Sequence, residues 1–151
     1  MPDTVTTPRT RSTLSTGVGR VLIAAYALLA IAATGRSVLQ IGTEFDKAPL
    51  AYSFTGLAAL FYIVATVALI VPRPIWYRVA WVSVSFELAF VLTVGTLTVI
   101  DTALFPDKTV WSFYGRGYAF VPVLLPILGM IWLYVNRPSR LAARAAAEVA
   151  A

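Results

Sequence analysis

Apolar residues fall in four long blocks along this chain, each close to the roughly 20 residues needed to cross a bilayer core, and polar residues collect between them. The pattern predicts an all-α, polytopic membrane protein, an antiparallel four-helix transmembrane bundle. Spans are expected at about 17–41, 50–71, 79–100 and 118–135. Residues 1–16, rich in Thr, Ser, Pro and Arg, are expected to form a disordered cytoplasmic tail. The alanine-rich stretch over 136–151 is expected to be a second cytoplasmic tail, with the capacity to form a helix on the inner leaflet. A competing reading touches the first block. Arg9, Arg11 and Arg20 precede a 13-residue apolar run, Val21 to Ala33, with small residues at Ala32 to Gly35, the layout of a cleaved signal peptide. Val38, Leu39 and Ile41 lengthen the block toward a full span and favour its retention.

The breaks between blocks have chemical causes. Gly42 to Ala48 is a short polar loop in which Asp46 is placed to cap the next helix, with Pro49 in the first turn where a missing N–H costs little. Span two stops at Pro72-Arg73-Pro74, because proline removes a backbone donor and disfavours helix in the residue before it. Trp76, Tyr77 and Arg78 then read as an interfacial anchor. The longest connection, Asp101 to Gly117, carries Phe105, Trp111, Phe113 and Tyr114. It is expected to lie in the outer interface, with a short helix after Pro106, and Trp111, Phe113 and Tyr114 are its candidate partner-binding or lipid-binding residues. Pro122 and Pro126, four residues apart on one face, predict an irregular outer half for span four.

Composition narrows the chemistry more than it defines it. The chain is 59% hydrophobic and 13% charged, and has neither cysteine nor histidine. That excludes thiol catalysis, disulfides, histidine-ligated haem and iron–sulfur clusters, and the sequence gives no cofactor to expect. The net charge of +5 sits beside apolar spans and forms no basic face, so it points to topology and not to a nucleic-acid partner. Arg9, Arg11, Arg20, Arg73, Arg78, Arg137, Arg140 and Arg144 lie on one side, and Lys47, Lys108 and Arg116 on the other. The excess predicts both termini in the cytoplasm.

Glu87 is the leading candidate for function. It lies nine residues beyond Arg78, roughly 13 Å above the inner interface and near the bilayer centre. An acid there costs about 3 kcal/mol to insert, so it must be protonated, paired or facing a wet cavity. Ala80, Ser83, Glu87, Val91, Val94, Thr98 and Asp101 share one face of span three, which should turn into the bundle. Arg36, with Gln40 one turn on, lies about 24 Å up span one, within long reach of Glu87, and Asp101 and Glu44 are its rival partners. Glu87, Arg36, Gln40, Ser83 and Asp101 therefore form the candidate buried polar or ion-coupling set. Two roles fit it: a structural network that fixes helix register, which is preferred because only one intramembrane acid is present, or proton or cation exchange at Glu87. The loop acids Glu44, Asp46, Asp101 and Asp107 have the oxygen chemistry of a divalent site, but pairing with Lys47, Lys108 and Arg116 accounts for them. Small residues in stripes, Ala27, Ala30, Thr34 and Ser37 on span one and Thr55 and Ala59 on span two, allow close helix approach. The sequence contains no phosphate-binding loop, nucleophile elbow or other catalytic motif.

The strings Gly35 to Gln40 (GRSVLQ), Phe45 to Tyr52 (FDKAPLAY), Phe105 to Ser112 (FPDKTVWS) and Gly115 to Pro126 (GRGYAFVPVLLP) are similar to those of small four-span integral membrane proteins of actinobacteria, over about 17–135. That resemblance implies a four-helix fold and a bacterial plasma membrane, and brings no activity or site residue with it. The expected function is non-enzymatic: an accessory, scaffold or assembly subunit meeting a membrane-protein partner or a second copy of itself within the lipid bilayer. The alternative is a small proton-coupled transporter or channel with Glu87 as the titrating group. An enzyme acting on lipid-linked substrates through the acids of the longest loop ranks third.

Overall fold

Four uninterrupted apolar runs, each entered or left through proline, glycine or a polar loop, build four helices long and apolar enough to cross a membrane. A computed structural model describes residues 17–150; the tail expected over 1–16 lies outside them. Helix α1 is Gly17–Thr43, α2 Pro49–Ile70, α3 Pro74–Ile100, α4 Val121–Val135 and α5 Pro138–Ala150. The first four alternate in direction and form an all-α bundle without strands among the described residues. One end of the bundle, the loop end, holds the α1–α2 and α3–α4 connections; the other holds the α2–α3 turn and leads into α5.

Several boundaries differ from expectation for local reasons. Helix α3 starts at Pro74 and not near residue 79, because proline at the first helical position gives up only a donor that would have had no helical partner. Trp76, Tyr77 and Arg78 therefore sit in its first turns, and the Tyr77 hydroxyl donates to the Leu133 carbonyl at the end of α4 (3.1 Å). Asp46 caps nothing: it lies inside a 3-10 turn, Phe45–Lys47, and α2 begins after Ala48 with Pro49 in its first turn and no side-chain cap. No helix follows Pro106. The connection instead has a 3-10 turn before it, Thr102–Leu104, and an irregular 3-10 segment after it, Ser112–Tyr118. The C-terminal stretch is helical, and the guanidinium groups of Arg137 and Arg140 lie 5.1 and 5.2 Å from the centre of the Tyr134 ring.

The core is built from small residues on α1 and α2 and from the predicted stripe on α3. Ala30, Ala33 and Ser37 meet Ala51, Thr55, Ala58 and Ala59 among the buried positions, and a Cβ on Gly56 would stand 3.0 Å from the Ser37 Oγ. On α3, Ala80, Ser83, Glu87, Val91, Val94 and Thr98 are all buried, and only Asp101 at the end of the stripe is exposed. Large apolar side chains such as Leu28, Ile31, Leu60, Phe86 and Leu124 face outward, as expected where lipid is the solvent. Near the loop end, α3 leaves room for an aromatic ring. A Cβ on Gly95 would come within 2.5 Å of Tyr114, whose hydroxyl lies 3.1 Å from Thr96 Oγ1. Gly95→Ala is therefore expected to destabilise the protein by about 1–3 kcal/mol despite alanine's better helix propensity, read as a lower melting temperature in detergent.

Candidate functional site

Glu87 is 1% exposed, midway along α3, and its two carboxyl oxygens accept no hydrogen bond from the described residues. The groups around it come from four other parts of the chain. Tyr26 of α1 lies beside the carboxyl without closing a hydrogen bond of good geometry, and its ring is 6.3 Å from that of Tyr62 on α2. From α4 comes Gly129, whose missing side chain leaves space for Tyr26: a Cβ there would stand 3.4 Å from the tyrosine hydroxyl. Next to Tyr62 is the indole of Trp111. The hydroxyls of Tyr26 and Tyr62 and the indole N–H of Trp111 are buried and, like the carboxyl, close no hydrogen bond of good geometry among the described residues. Four polar side chains from α1, α2, α3 and the α3–α4 connection thus converge in an apolar interior, where unmet polar groups are costly.

Arg36 does not join this cluster. Its guanidinium donates to the Lys108 carbonyl (2.7 Å) and to Gln40 Oε1 (3.2 Å), and lies 3.9 Å from Asp107 Oδ1. Gln40 and the Tyr52 hydroxyl both donate to Asp107 Oδ2, at 3.3 and 2.9 Å. The partner of Arg36 is thus Asp107, and neither Glu87, Asp101 nor Glu44 takes that role. Asp101 accepts from the Ala103 N–H and caps the turn Thr102–Leu104, while Glu44 pairs with Lys47 at 2.7 Å. Of the predicted polar set, Glu87 and Ser83 share the buried face, Arg36 and Gln40 clamp the loop end, and Asp101 stands apart.

The clamp holds a connection that folds back into the bundle. From the level where Gly129 packs on Val84, α3 runs on for 16 residues and α4 for only eight before each ends, a difference of roughly 12 Å at 1.5 Å per residue. The connection fills the gap. Thr109, Val110, Trp111 and Ser112 are all buried, and Trp111 is not an interfacial residue but a core one, stacked on Phe90 at 5.3 Å and packed 6.5 Å from Phe54. Phe113 and Tyr114 are half-buried against α3. Irregular backbone at membrane depth is tolerated only where protein encloses it, and here Thr98 Oγ1 accepts from the Phe113 N–H (2.8 Å) while Thr109 and Ser112 satisfy each other. The segment is also strained. Phe113, Tyr114, Ala119 and Phe120 all have positive φ between 50° and 60°, a conformation that costs about 1–2 kcal/mol at each residue with a side chain. Gly115, at φ 81°, is required: a Cβ would strike the Pro122 ring at 2.7 Å.

The sequence pointed to Glu87 by its place in an apolar span, but did not bring Tyr26, Tyr62 or Trp111 to it. The signal present was weak: each is the aromatic residue that can carry a polar atom into a core. The architecture defines an integral membrane protein of the four-helix, all-α class with an acid enclosed at its centre. No family model matches the chain, and no curated protein or solved structure is similar to it.

Proposed function

We propose that this protein is a small proton-coupled transporter or channel of the bacterial plasma membrane, with both termini in the cytoplasm and Glu87 as the group that binds and releases the proton. The observation that supports this reading is the separation of Glu87 from Arg36. An acid locked to an arginine is held ionised, whereas a carboxyl with no cation among the described residues beside it exchanges a proton without breaking an ion pair. The titratable groups that face it are Tyr26 from α1 and Tyr62 from α2, with Tyr118 beyond Tyr62; α4 presents Gly129. Each tyrosine hydroxyl can both donate and accept a hydrogen bond beside the carboxyl. The resemblance to actinobacterial four-span proteins and the distribution of arginines support the location and the orientation.

The test is flux in vesicles reconstituted with the purified chain and loaded with a pH-sensitive dye. An imposed proton gradient, with potassium and valinomycin to carry compensating charge, should collapse faster than in empty vesicles. Glu87→Gln should return the rate to that of empty vesicles while leaving the elution volume in detergent unchanged. If Glu87→Gln conducts as the native protein does, the proposal fails. If native vesicles are no leakier than empty ones and a partner co-purifies from native membrane, the accessory or assembly role is the better reading.

A further inference from the structure

We propose that the α3–α4 connection is a gate, with Trp111 as its plug, and that its withdrawal opens the Glu87 cluster to the loop end of the bundle. This gives the proton-carrying role of Glu87 an access route and rests on that reading for its purpose, although it is tested separately.

Three observations converge. The first is placement. Trp111 is fully buried, stacked on Phe90 of α3 and beside Tyr62 of α2, so it stands between the Glu87 cluster and the loop end of the bundle. Its indole N–H lies beside the Tyr62 hydroxyl without closing a hydrogen bond of good geometry, so packing more than polar contact holds it there. The second is a cavity of about 180 Å³ on the far side of the plug, lined by Thr98, Thr102, Phe105, Lys108, Ser112 and Phe113. Trp111 does not line it, but its chain neighbour Ser112 does, and Thr98 and Thr102 place it toward the loop end. At about 30 Å³ per molecule it has room for several waters, held chiefly by the hydroxyls of Thr98, Thr102 and Ser112 in a mostly apolar lining.

The third observation is how the segment is held. Its rim is fixed by polar contacts: Asp107 by Tyr52 and Gln40 on one side, Phe113 and Tyr114 by Thr98 and Thr96 on the other. At and beyond the second of these anchors, from Phe113 to Phe120, the backbone carries left-handed residues that no helix or sheet ladder supports. Outward movement would relieve that strain at the cost of the rim hydrogen bonds and of the burial of Trp111, which keeps the closed position the major one. Strained backbone held by surrounding contacts clusters at ligand clamps and switch segments.

The chain has no cysteine, so single introduced thiols report accessibility without background. Val91→Cys places a thiol on the buried stripe of α3, one turn from Glu87 toward the loop end. Lys108→Cys, at an exposed position, identifies the loop side of the membrane. With a membrane-impermeant methanethiosulfonate applied from each side in turn, Val91→Cys should label slowly from both. Adding Trp111→Ala, or loosening the rim with Asp107→Asn, should speed labelling from the loop side alone by about tenfold to a hundredfold, as expected when a minor open state becomes populated. Trp111→Phe, which keeps a ring, should fall between. If Trp111→Ala does not fold, Trp111→Phe and Asp107→Asn decide the matter. An unchanged rate in both, or equal acceleration from the two sides, overturns the gate. That result would leave the effect of Glu87→Gln on flux standing, and a failure of the flux test would leave the labelling result standing.

Discussion

Replacing Glu87 by methionine is expected to make the protein more stable, raising its melting temperature in detergent by roughly 3–10 °C as tryptophan fluorescence or light scattering is followed on heating. The two side chains are similar in volume, and methionine adapts to irregular surroundings, so the substitution leaves no cavity and forces little repacking. What changes is the carboxyl. It is 1% exposed and accepts no hydrogen bond of good geometry from the described residues, and a buried polar group left unmet costs about 1–3 kcal/mol in its neutral form and more when charged. Methionine removes that cost. The outcome bears on function, because an acid kept in a core at a loss of stability is kept for something other than stability. A fall in melting temperature would instead mean that Tyr26 and Tyr62 are held in place by the carboxyl, and that Glu87 is a structural member of the cluster. Glu87→Gln should lie close to the native protein, since the amide keeps the size and the burial penalty while losing the proton.

How far the sequence carried the fold depends on the range of the interactions involved. Hydropathy and proline are local signals, and they placed the helices well: α2 was expected over 50–71 and is found at Pro49–Ile70. The α3 stripe was legible for the same reason, because a period of 3.6 residues needs no knowledge of the neighbours. Non-local pairing was not legible. Arg36 had several acids within plausible reach, and the one it meets, Asp107, is 71 positions away on a connection whose path no local rule dictates. Trp111 shows the same limit. In a polar loop between two spans, tryptophan reads as an interface residue, and its burial becomes intelligible only once α4 is seen to start roughly two turns deeper than α3 ends. The left-handed residues were invisible for a further reason. Phe113, Tyr114, Ala119 and Phe120 are not residues that favour positive φ, so their conformation is imposed by the packing around them.

Asp107→Ala is expected to destabilise the protein by about 2–4 kcal/mol, and the loss should come chiefly through Tyr52 and Gln40 and only slightly through Arg36. The geometry assigns the shares. Tyr52 is buried and its hydroxyl donates to Asp107 Oδ2 at 2.9 Å, a short bond to a charged acceptor. The Arg36 contact is 3.9 Å long between side chains that are 33% and 41% exposed, and such pairs contribute about 0–1 kcal/mol. Arg36 acts mainly through the Lys108 carbonyl, at 2.7 Å. Double-mutant cycles on thermal or denaturant unfolding should therefore return a coupling of about 1–2 kcal/mol for Tyr52→Phe with Asp107→Ala, and well under 1 kcal/mol for Arg36→Gln with Asp107→Ala. The first should be insensitive to salt and the second should fade as salt rises. A larger coupling for the arginine would mean that charge holds the connection down, and the rim of the proposed gate would then loosen with ionic strength. If Asp107→Ala instead leaves the melting temperature unchanged, the clamp contributes nothing. The left-handed backbone from Phe113 to Phe120 would then have to be held by Thr96, Thr98 and the stacking of Trp111 on Phe90.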